Sequence, residues 1–113
     1  MKEPPRVLRR RSPATLAANV TENVAQILWQ GRVFHLSKPI DLTIEREGAY
    51  YVIGYQPLGI TGYGHSEREA LESFADDFSF TWDTYGMARD GDLTQDARDL
   101  KQNLRRLVAR VAA

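Results

Sequence analysis

Carboxylates crowd one short stretch of this sequence, with Glu69, Glu72, Asp76, Asp77 and Asp83 lying between positions 69 and 83. At about 100° per residue on a helix, Glu69, Glu72, Ser73, Asp76, Phe80 and Asp83 share one side. An acidic side attracts a basic partner, and a phenylalanine ringed by carboxylates is the pattern of an interface anchor. Phe80 has two plainer readings, as a lone exposed apolar residue or as a contact for a following helix. An acidic helix side is also, commonly, only a solvated face.

Other chemistry finds less to work with. Asp76 and Asp77 are adjacent, so on a helix their carboxylates diverge by about 100° and do not converge on one substrate atom. His35 and His65 are the only histidines and stand in no metal-ligand spacing. The run GITGYG has the glycines of a phosphate loop without its lysine or its strand-to-helix setting. His65 reads as a loop histidine beside a helix start. With no cysteine, disulfides and thiolate metal centres are excluded. The expectation is a chain that is not an enzyme and uses no cofactor or metal.

The elements that must carry these side chains are legible from periodicity. Ile40, Leu42 and Ile44 alternate with Asp41, Thr43 and Glu45, the period-2 pattern of a half-buried strand. Glu47 and Gly48 supply a turn, Ala49 to Tyr55 a second and continuously apolar strand, Pro57 and Gly59 a break, and Ile60 to Tyr63 a short third strand. Gly59, Gly62 and Gly64 read as turn and edge-strand residues. A helix follows: Ser66 caps it, Glu69 three residues on completes a capping box, and Gly86 stops it. Leu71, Phe74, Ala75, Phe78, Trp82 and Tyr85 form the stripe that covers the sheet.

A second helix over 93–111 carries the seam Leu93, Ala97, Leu100, Leu104, Leu107 and Val111, with Arg98, Lys101, Arg105, Arg106 and Arg110 making its outer surface basic. The seam is too short to stand as an independent coiled coil, so it packs on the core or on a symmetry mate, and a homodimer is expected. Upstream, Leu16, Val20, Val24, Ile27 and Leu28 recur at helical spacing after Ser12 and Pro13, which predicts a helix over 14–29 and then a short strand from Val33 to Leu36 that Pro39 ends. The β-branched residues in that stretch leave a second reading open, a hairpin turning at Gln30 and Gly31.

Composition bounds the whole. The 113 residues are 42% hydrophobic and 27% charged with zero net charge, in the range of one modest soluble core. Residues 1–35 hold six basic and two acidic side chains, 36–91 four and ten, and 92–113 five and three. An acidic middle between basic ends argues against the core gripping phosphates. The expected organisation is a basic tail over 1–13 and a single domain over 14–113. Arg9, Arg10 and Arg11 in that tail are the candidate nucleic-acid contacts, with an affinity that salt would readily remove. No apolar signal or membrane-length segment is present, so a cytoplasmic protein is expected.

Over roughly residues 41–80 the chain resembles the HicB-like antitoxin family. The residues that carry this are Glu45, Gly48 and Tyr51 at the first turn, Pro57, Leu58, Gly59 and Gly64 around the third strand, and Ser66, Glu67, Glu69, Ala70 and Leu71 opening the helix. The resemblance implies a partial double-stranded-RNA-binding-domain fold used as an antitoxin, which holds a small basic ribonuclease toxin. Family members usually add a C-terminal ribbon-helix-helix or helix-turn-helix element, whereas here a single heptad-like helix follows. Genuine double-stranded-RNA binding is unexpected, since the helix opens with Ser66, Glu67, Arg68 and Glu69 where phosphate contacts need basic residues. Tyr50, Tyr51, Tyr55 and Tyr63 offer single-strand stacking in principle, but strand aromatics ordinarily pack on a sheet.

The sequence therefore predicts an α+β fold: a small antiparallel meander of three to four strands packed by one long helix, plus a C-terminal helix that docks or dimerises. The expected function is a non-enzymatic, HicB-like protein-binding module engaging a small basic protein through its acidic helix side. The alternatives are a self-associating structural protein and a nucleic-acid-associated regulator using its basic tail.

Overall fold

The computed structural model describes residues 20–113. The chain forms β1 (Val20–Trp29), β2 (Arg32–Glu47), β3 (Tyr50–Tyr55), β4 (Ile60–Gly64), α1 (Glu67–Thr81), α2 (Gln95–Leu107) and β5 (Val108–Ala112). The α+β class and the antiparallel sheet packed by a long helix are as expected. The sheet has five strands, ordered β1-β2-β3-β4 with β5 also paired to β2, and every pairing is antiparallel.

The helix expected over 14–29 is corrected across residues 20–29, which form β1; the part of that expectation before residue 20, and the Arg9–Arg11 tail, lie outside the described residues. The hairpin reading holds instead. Gln30 and Gly31 both take positive φ, 49° and 82°, between the paired residues Trp29 and Arg32. Positive φ at both central residues is the two-residue turn whose twist matches a hairpin. The helical spacing of the apolar residues was coincidental, because cross-strand pairing with β2 offered the β-branched side chains a better setting.

Pro39 does not end a strand either: β2 runs sixteen residues straight through it. Between Val24 and Gln26 on β1 the partner on β2 jumps from Ile40 to His35, so Ala25 alone stands opposite residues 36–39. In this bulge Pro39 owes the ladder no N–H. Beyond it, Ile40, Leu42 and Ile44 are buried and the intervening Asp41 and Thr43 exposed, the alternation read from sequence.

Ser66 caps α1, its Oγ accepting from Glu69 N at 3.1 Å, while Glu69 Oε1 accepts from His65 N at 2.9 Å. This closes the predicted capping box one residue early. Phe74, Ala75, Phe78 and Trp82 are buried along the covering stripe and Tyr85 packs against them. Leu71 is the correction, 37% exposed, its expected place taken by the fully buried Ala70. The reason lies in β4: a Cβ on Gly62 would overlap Phe74 N and Ala70 O, and one on Gly64 would overlap Ala70 N. The helix backbone rests directly on the strand there, leaving room only for alanine. Phe34 of β2 meets Phe78 edge-on at 5.2 Å between centroids and Trp82 at 6.2 Å, which anchors the other end of α1.

The helix expected over 93–111 is shorter than predicted. It spans Gln95–Leu107 and is capped by Thr94 Oγ1, which accepts from Ala97 N at 3.3 Å. Residues 108–112 leave it as β5, pairing with Val33–Leu36 of β2. Val111 is thus a strand residue, not the last member of a helical seam. Among the described residues no helix is long and apolar enough to cross a membrane.

Candidate protein-binding face

The six residues expected on the acidic side, five on α1 and Asp83 on the π-helical turn Trp82–Gly86 that continues it, do different work in the folded chain. Three are engaged internally. Glu69 closes the cap, as above. Ser73 Oγ accepts from Tyr63 N at 3.1 Å, and the neighbouring Asp77 Oδ2 accepts from Thr61 N at 3.4 Å. Both amides belong to β4, the last strand in the order, so α1 side chains blunt an edge that would otherwise invite pairing. Asp83 takes a two-pronged contact from Arg32, Nη1 to Oδ1 at 3.0 Å and Nη2 to Oδ2 at 2.9 Å, and Arg32 also donates to Ser79 Oγ.

The remaining three, Glu72, Asp76 and Phe80, fall at i, i+4 and i+8 and make one continuous ridge, all exposed. Glu72 lies 3.5 Å from Arg68, a surface pair worth little. Phe80 is 62% exposed. That removes one of its readings: α2 does not cover it. The ridge ends beside Asp83, whose charge is partly balanced by Arg32.

α2 packs chiefly on the turn that follows α1, with lesser contact to β2 and β5. Leu104 and Leu107 are buried within the chain, while Leu93, Ala97 and Leu100 are half-buried. Three of the cations expected on its outer surface instead bind the segment after α1. Arg105 Nη1 donates to Gly86 O at 2.9 Å, Lys101 Nζ to Ala88 O at 2.6 Å, and Arg98 Nε to Asp90 O at 2.9 Å. Those carbonyls belong to the segment that follows α1, so α2 clasps that connection. Lys101 also reaches Asp90 Oδ1 at 2.8 Å, and this hydrogen bond and charge hold the Asp90 carboxyl below its ordinary pKa.

His65 stacks on Tyr50 with ring centroids 4.6 Å apart, and His35 Nδ1 lies 3.3 Å from Gln26 Nε2, so the two histidines have separate surroundings. Among the described residues no group of three or more His, Asp or Glu side chains is placed to hold a metal ion. Of the four strand tyrosines, Tyr51 and Tyr55 pack against the core, Tyr51 beneath the Arg46 guanidinium at 4.8 Å, while Tyr50 and Tyr63 are exposed.

One feature had no signal in the sequence. A cleft of about 420 Å³ lies between β2, the turn after β3 and the last turns of α2, lined by Ser37, Lys38, Tyr55, Pro57, Leu58, Asn103, Arg106 and Leu107. Its residues come from three distant segments, and no local pattern connects them. No protein-family model matches the chain, nor does any curated protein or any solved structure.

Proposed function

We propose that this chain is a non-enzymatic protein-binding module of the HicB-like antitoxin type, engaging a small basic protein through the α1 ridge of Glu72, Asp76 and Phe80. The observation that carries the reading is Phe80 itself, a large apolar side chain 62% exposed on a carboxylate-lined helix while α2 packs elsewhere. An aromatic anchor set among charges gives a partner both a desolvated contact and an electrostatic approach. Glu69, Ser73 and Asp83 flank the ridge and also make contacts within the chain, Glu69 and Asp83 while remaining exposed. Self-association through α2 draws less support, because Leu104 and Leu107 are already consumed in the chain's own core.

The test starts from affinity capture in the source lysate at moderate salt, comparing wild type with the Phe80→Ala, Asp76→Lys double variant. A captured small basic protein is then purified and titrated against both. Wild-type binding that falls at least tenfold in the variant is the expected result. Equal binding by both proteins, or recovery of nothing except this chain, sinks the proposal.

A further inference from the structure

The sheet forks. Along one edge of β2, β5 pairs as far as Leu36 and β3 begins to pair only at Thr43. Between these points neither strand covers β2, and the cleft opens there. It is lined by Tyr55, where β3 ends, by Pro57 and Leu58 of the turn that follows, by Asn103, Arg106 and Leu107 of α2, and by Ser37 and Lys38 of the β2 bulge. The volume lies in the usual range for small-molecule sites.

The lining has a definite chemical character. Two cations, Lys38 and Arg106, come from different elements, and no carboxylate is among the lining residues. Among the described residues neither cation forms an ion pair. This contrasts with the central segment as a whole, where acidic side chains outnumber basic ones. The Arg106 guanidinium is steadied by Asn103, Nη2 to Oδ1 at 2.5 Å, and among the described residues its other donors have no side-chain partner. Ser37 Oγ donates to Arg106 O at 2.9 Å, which holds the β2 bulge against the last turn of α2. Leu58, Leu107, Pro57 and Tyr55 add apolar atoms to the lining.

From this geometry we infer that the fork cleft binds a small organic anion, a carboxylate or phosphate monoester carried on an apolar body. The two cations take the charged group and the leucine, proline and tyrosine surface takes the body. The site is separate from the α1 ridge and does not depend on it.

The probes are benzoate and phenyl phosphate, with benzyl alcohol as the uncharged control, each titrated into the full chain and followed by amide chemical shifts. Saturable shifts centred on Ser37, Lys38, Tyr55, Leu58, Asn103 and Arg106 are expected with at least one anion and not with the alcohol. Tighter binding of phenyl phosphate identifies phosphate as the preferred head group; tighter binding of benzoate identifies carboxylate. Lys38→Gln and Arg106→Gln each weaken that binding at least fivefold without lowering the melting temperature. Absence of saturation with both anions, shifts centred elsewhere, equal binding of benzyl alcohol, or unchanged affinity in both variants would overturn the assignment.

Discussion

Arg32 and Asp83 join the start of β2 to the π-helical turn that follows α1 by two parallel hydrogen bonds of 3.0 and 2.9 Å, across a separation of 51 residues. The same guanidinium lies 5.0 Å from the Phe34 ring centroid and donates to Ser79, so one side chain ties hairpin, core and helix together. The side chains are 34% and 56% exposed, so solvent screens the pair. A double-mutant cycle with Arg32→Met and Asp83→Asn, followed by urea unfolding, should give a coupling of about 0.5–1 kcal/mol. Arg32→Ala should cost more than Asp83→Ala, because it also uncovers Phe34. Zero coupling would mean that the contact does not persist in solution.

The β4 glycines set the distance between α1 and the sheet. Gly62→Ala forces its new methyl into the backbone at Ala70 and Phe74. The helix must lift, and the loss should be about 3 kcal/mol or more, at the upper end of overpacking effects. Thermal melting should show a marked fall, whereas Gly91→Ala, with open space around its Cβ, should change little. Equal melting temperatures for the two variants would contradict the close approach.

Residues 20–29 provide a sharp test of hairpin against helix. Gln30 sits at φ 49°, a conformation that asparagine tolerates better than glutamine. Gln30→Asn should therefore raise stability by a few tenths of a kcal/mol, although asparagine is the poorer helix former. Gly31→Ala, at φ 82°, should lower it by about 1 kcal/mol. A destabilising Gln30→Asn would argue against the turn.

Phe80 on the α1 ridge should be dispensable for folding. Its exposure predicts that Phe80→Ser shifts unfolding free energy by no more than about 0.5 kcal/mol. A loss above about 2 kcal/mol would show that another part of the protein covers it.

Asp90 and Lys101 predict a pH effect with a definite sign. The carboxyl loses its proton more readily in the folded chain than in the unfolded one, where its pKa is about 3.9. Its stabilising contribution is present above that value and disappears as pH falls through the depressed folded pKa. A carboxyl NMR titration should find Asp90 below the ordinary aspartate range, and Lys101→Met should bring it back up. An unmoved Asp90 in that variant would rule out Lys101 as the cause.

Where a structural rule acts between neighbours in the chain, the amino-acid sequence by itself determined the outcome. The Ser66 and Glu69 cap, the alternation of Ile40, Leu42 and Ile44, and the Phe74, Phe78 and Trp82 stripe follow from contacts within a few residues. So does the acidic ridge, since helical geometry alone places Glu72, Asp76 and Phe80 in line. Tertiary structure decided the rest. β1 was a helix or a hairpin on local grounds, and pairing with β2 chose the hairpin. Val111 continues a helical seam by spacing, yet the vacant edge of β2 drew Val108 to Ala112 into a strand. Leu71 fitted the buried stripe, but the contact of α1 with Gly62 and Gly64 turned Ala70 inward instead. The Arg32 and Asp83 clasp and the fork cleft lie beyond any sequence pattern, because each joins side chains that only the folded sheet brings within reach.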